Sequence, residues 1–107
     1  MIGTQDYQTV FCVLDIMCAP HEGWIMKLRC QPGQSITARE LKGATLQTRS
    51  PDGQRHCKIQ VNGFVAFGGI PSDNRIRRTG RVDVHVFPLD GDISTIAPKW
   101  EVSGPLY

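Results

Sequence analysis

The sequence predicts an all-β protein: a small Greek-key or OB-like β-barrel of about six strands, with at most one or two short helical turns. Three observations predict it. Apolar residues alternate with polar ones at period two in several short segments. Pro, Gly and Asp clusters separate those segments as turns. Capped stretches at helical period are nearly absent.

The strands follow in order. Thr9 to Met17 is apolar on both faces, which predicts a central, covered strand with Val10 and Leu14 inside. Trp24 to Cys30 places Trp24, Met26, Leu28 and Cys30 on one face and Lys27 and Arg29 on the other. Leu41 to Thr48 is a weaker strand with Gly43 inside it. Ser50-Pro51-Asp52-Gly53 is a turn signal, with Pro preset for the second position and Gly free to take positive φ. It joins that strand to Arg55–Phe67 as a hairpin, in which Cys57, Ile59 and Val61 face the core. Arg81 to Phe87 turns Val82, Val84 and Val86 inward and Asp83 and His85 outward. Pro88 lacks a backbone donor and belongs at a strand end or edge, and Asp90-Gly91-Asp92 ends the strand.

Between these, Gln31-Pro32-Gly33-Gln34 reads as a turn and Gly68 to Asn74 as a longer loop. Thr37-Ala38-Arg39-Glu40 has the spacing of a capping box and allows about one helical turn before Gly43. Asp92 to Trp100 has room for another turn, limited by Pro98.

A chain of 107 residues, 40% apolar and 21% charged, suits one globular domain over residues 1–107 with its own core. The longest apolar run, Val10 to Leu14, is too short to span a bilayer. Met1 to Tyr7 lacks a basic stretch ahead of an apolar one, so a cytoplasmic protein without a membrane partner is expected. Cys12, Cys18, Cys30 and Cys57 have irregular spacing, and reduced thiols are expected, three of them in apolar alternations.

The net charge of +2 hides an asymmetry: residues 1–23 carry −3, residues 24–81 carry +8 and residues 82–107 carry −3. Three readings fit. The middle presents a basic face to an anionic partner; the acidic ends fold over it; or the surface is simply mixed and solvated.

The layout resembles the second-domain β-barrel of translational GTPases, the group that includes elongation factor Tu. The matching pieces are Val10–Ile16, Gly23–Cys30, Gly33–Leu46, the Ser50–Gly53 hairpin into Lys58–Val61, and Gly80-Arg81-Val82, within residues 8 to 88. The resemblance implies a Greek-key barrel and an RNA partner. No phosphate-loop motif is present, so it implies no GTP chemistry.

Arg75, Arg77, Arg78 and Arg81 lie within seven residues beside the Gly-rich loop, and arginine binds phosphate bidentately and stacks on bases. Their plain alternative is a solvated loop, or pairing with Asp73 and Asp83. Gly63-Phe64-Val65-Ala66-Phe67 is similar to the second half of the RNP1 motif, with Phe64 as a base-stacking candidate. Gln60, Val61 and Asn62 break the front of that motif, and a core strand bulged at Gly63 is the alternative.

Cys18 with His21 could supply two zinc ligands and His56 with Cys57 the other pair, but adjacent strand residues face opposite ways. Neither Cys18–His21 nor Asp83–His85 matches a catalytic motif. The expectation is therefore a non-catalytic binding module with no cofactor and no metal, for nucleic acid or a ribonucleoprotein, through Arg75, Arg77, Arg78, Arg81 and Phe64. Alternatives are a self-associating homo-oligomer and, last, a small hydrolase or transferase.

Overall fold

Six antiparallel strands close into a barrel in the order β1-β2-β5-β4-β3-β6. They are β1 Thr9–Cys18, β2 Trp24–Cys30, β3 Thr45–Arg49, β4 His56–Phe64, β5 Arg81–Asp90 and β6 Glu101–Leu106. The computed structural model describes residues 9–20, 22–34, 36–64 and 73–106. The strands β3, β4 and β5 form a meander. The β2–β3 connection crosses the barrel end so that β2 lies beside β5, which is the expected Greek-key crossing. That connection carries the helical turn α1, Ala38–Leu41. A second short helix, α2, Asp73–Thr79, precedes β5. A 3-10 turn, Ile93–Thr95, leads toward β6 and is capped by the Asp92 carboxylate, which accepts from the Ser94 N–H at 3.0 Å.

The alternations of β2, β4 and β5 place Met26, Leu28, Ile59, Val61, Val82, Val84 and Val86 inside, as expected. The register of β1 differs from the expected one. Phe11 and Val13 are buried, whereas Val10 and Leu14 are half-buried on the other side. A strand apolar on both faces gives alternation nothing to choose between. A bulge between Val13 and Asp15 then turns Ile16 toward the core.

Leu41 belongs to α1 rather than to a strand; it is fully buried, and β3 begins only at Thr45 after Gly43 takes φ +78°. The Ser50–Gly53 turn forms as expected, with the Gly53 N–H donating to the Ser50 carbonyl at 2.9 Å. In β4 the predicted bulge at Gly63 is present, and residues 65–67 of the expected strand lie outside the described residues. Pro88 sits inside β5 opposite Ile59 rather than at an end. The bulge beside it, between Lys58 and Ile59, accommodates its missing donor.

One end of the barrel is plugged by side chains from the connections. Ile36 and Leu41 of the β2–β3 connection and Ile76 of α2 all join the core. Ile93, Ile96 and Trp100 do the same at the opposite end, between β5 and β6. No helix among the described residues is long and apolar enough to cross a membrane.

Candidate functional site

The arginine cluster lies on α2 and at the start of β5, not in a loop as the sequence suggested. Asp73 to Thr79 contains neither Gly nor Pro, so a helix can run. Gly80 stops it at φ +72°, with its N–H donating to the Ile76 carbonyl at 2.7 Å. Buried Ile76 fixes which side of α2 faces the barrel. Arg75, Arg77 and Arg78 are exposed on the helix, the last two in its final turn, where a cation also suits the helix dipole. Thr79 ties the helix to the strand. Its hydroxyl donates to the Arg75 carbonyl at 2.7 Å and accepts from the Arg81 N–H at 3.1 Å.

Arg81 opens β5, exposed, and its cross-strand partner on β2 is Arg29, also exposed. The Cys30 N–H donates to the Gly80 carbonyl at 2.7 Å, which makes Arg29 and Arg81 a non-hydrogen-bonded pair, the kind whose side chains stand closest. Like charges directly opposite each other are destabilising, by roughly 0.2–1 kcal/mol. The neighbouring row shows the usual arrangement: Lys27 lies between Asp15 on β1 and Asp83 on β5. Arg29 instead lies between Cys12 and Arg81. Among the described residues no carboxylate is in ion-pair distance of Arg29, Arg77, Arg78 or Arg81. The sequence reading missed Arg29, because only the β2–β5 register, which links residues fifty-odd positions apart, brings it to the cluster.

The helical connections add two more cations to the same end. Arg39 and Lys42 are exposed on and beside α1. Glu40, their acidic neighbour, is occupied in the capping box: its carboxylate accepts from the Thr37 hydroxyl at 2.9 Å, and its N–H donates to that hydroxyl at 3.1 Å. Seven of the twelve Lys and Arg residues therefore gather at the end that carries α1 and α2, against Glu40 and Asp73. Asp90 closes β5 at the opposite end and Asp92 follows it. Nine residues of strand, about 30 Å at the usual rise, separate Asp90 from Arg81. The acidic C-terminal segment thus does not lie over the arginines along β5. Asp6 lies outside the described residues.

Phe64 is half-buried and packs against the core, so its ring is a wall of the barrel more than a free stacking platform. Phe67, its companion in the RNP1-like segment, lies outside the described residues. Cys18 is exposed and His21 lies outside the described residues. His56 is exposed and Cys57 buried, on opposite faces as alternation requires. Among the described residues no three His, Cys, Asp or Glu side chains converge on a point that would hold a metal ion. Burial pushes the thiols of Cys30 and Cys57 up, which makes them poor nucleophiles. His85 shares an outer face with Asp83, but its Nε2 lies 2.8 Å from the Glu22 carbonyl and is held by backbone.

A polar cleft of about 280 Å³ opens at the other end of the barrel, lined by Arg49, Ser50, Pro51, Asp52, Gly53, Lys99 and Glu101. The Ser50 hydroxyl and then the Gln54 N–H hydrogen-bond the Asp52 carboxylate and hold its pKa below the usual aspartate value. Both bonds serve the hairpin turn. The cleft mixes two cations with two carboxylates and contains no thiol or imidazole. In comparisons with known proteins, no family model, no curated protein and no solved structure matches this chain.

Proposed function

We propose that this barrel is a non-catalytic binding module for an anionic polymer, single-stranded nucleic acid or its ribonucleoprotein, held against the end that carries α1 and α2. The observation that carries the reading is the gathering of seven cations at that end, with Arg29 and Arg81 opposed and no carboxylate between them. A surface of this kind attracts phosphates and repels itself when empty. The resemblance to translational-GTPase barrels, an expectation of the sequence, points to RNA as the first nucleic acid to try.

The test is a salt titration of binding to a fluorescently labelled single-stranded RNA oligonucleotide. Each phosphate contact releases condensed counterions, so the affinity of the wild type should fall with salt at a log–log slope of about −0.7 per contact. The variant R77A/R78A should bind more weakly and with a shallower slope. Its circular dichroism should match the wild type, because exposed substitutions change stability by only about 0.5 kcal/mol. A wild type that does not bind at low salt, or a variant with an unchanged slope, would refute the reading.

A further inference from the structure

We propose that Arg29 and Arg81 together form a seat for one phosphate group, and that the group it takes is a phosphodiester of the nucleic acid. The inference rests on the reading above for the source of the phosphate; its geometry rests on the β2–β5 register and on Thr79 at the end of α2.

Two arginines directly opposite each other on an outer barrel face repel each other when nothing lies between them. An anion bridging them turns that repulsion into attraction. The local backbone keeps the pair in place. The Arg81 N–H is bound by the Thr79 hydroxyl, and Cys30, next to Arg29, donates to the Gly80 carbonyl. Gly80, at φ +72°, turns the chain from α2 into β5 directly ahead of Arg81.

The chemistry favours phosphate over carboxylate. A carboxylate offers one planar edge, which a single arginine satisfies bidentately. A phosphodiester has two non-bridging oxygens set at a tetrahedral angle, so one oxygen can face each of two guanidinium groups that approach from different sides. A polymer then explains the remaining cations: Arg77 and Arg78, on the far side of Gly80 along the chain, would meet neighbouring phosphates that one isolated anion does not supply.

The experiment compares wild type, R29A, R81A and R29K. Thermal midpoints are measured in chloride and in inorganic phosphate at equal ionic strength, and affinity is measured for the same labelled RNA oligonucleotide. In chloride, R29A and R81A should melt about 1–3 °C higher than wild type, because the repulsion is gone. Phosphate should raise the midpoint of the wild type and not that of either alanine variant. R29K keeps the charge but loses the fork, so it should keep the wild-type midpoint in chloride and lose most of the phosphate response. RNA affinity at low salt should fall roughly tenfold in R29A and R81A, as for loss of a charge-assisted hydrogen bond.

The outcomes separate the two claims. If R29A and R81A bind RNA like the wild type while R77A/R78A does not, the seat is overturned and the nucleic-acid reading stands. If phosphate protects the wild type through Arg29 but RNA does not bind, the seat holds a free phosphate and the polymer reading fails. If phosphate protects all four proteins equally, the seat is overturned.

Discussion

At Lys99 the backbone takes φ +79°, the one described non-glycine residue in the left-handed region. The turn that contains it runs from Ala97 to Trp100, closed by the Trp100 N–H to the Ala97 carbonyl at 3.3 Å. Pro98 holds its second position and Lys99 its third, where a type II turn favours glycine. Two hydrogen bonds hold the conformation: the Lys99 N–H donates to the Val13 carbonyl, and the Val13 N–H donates to the Trp100 carbonyl, each at 2.9 Å. Placing a Cβ there costs roughly 1–2 kcal/mol, part of which glycine gives back through its greater freedom when unfolded. Lys99→Gly should therefore raise unfolding stability by about 0.5–1 kcal/mol, read as a higher urea midpoint with an unchanged slope. A lower midpoint would mean that the lysine side chain, on the rim of the polar cleft, contributes more than the strain removes.

Closure of the barrel depends on β6, which lies between β3 and β1. Gly104 is the tight point of that contact. A Cβ there would overlap the Leu46 side chain and come within 3.0 Å of the Thr45 carbonyl. Leu46 is fully buried and Thr45 is β3 backbone, so neither gives way easily. Gly104→Ala should destabilise by about 1–3 kcal/mol, as overpacking does, measured by chemical denaturation; a neutral result would show that β6 is held loosely. This strand was not legible in the sequence. Glu101-Val-Ser-Gly-Pro-Leu106 shows one alternation and then two residues that ordinarily break strands. Legible elements share one property: one face buried and one in water, as in β2, β4 and β5. The capping box of α1 was also legible, because its chemistry is local. For α2 the bracketing signals, Asp73 at the start and Gly80 at the end, were present, but a neighbouring Gly-rich stretch made the whole segment read as loop. Arg77, Arg78 and Arg81 were visible as a cluster along the chain, and Arg29 was not, because it joins them only through strand register.

On the scale of the molecule, closure limits how a partner can bind. Among the described residues each strand has a hydrogen-bonded neighbour on both sides, so these six strands offer no free edge for an added strand. Binding must then use side chains and connections, and here charge sorts the two ends. One carries α1, α2 and seven cations; the other carries the Ser50–Gly53 turn, Asp90 and Asp92. The most direct test is residue-resolved: amide chemical shifts of the labelled protein, titrated with single-stranded RNA at low salt. Shifts should concentrate at Arg29, Cys30 and Asp73 to Val82, with weaker changes at Arg39 to Lys42. Ser50 to Gln54 and Asp90 to Ser94 should stay still. Shifts centred on the Ser50–Gln54 end, or none at any residue under saturating RNA, would contradict binding at the cationic end.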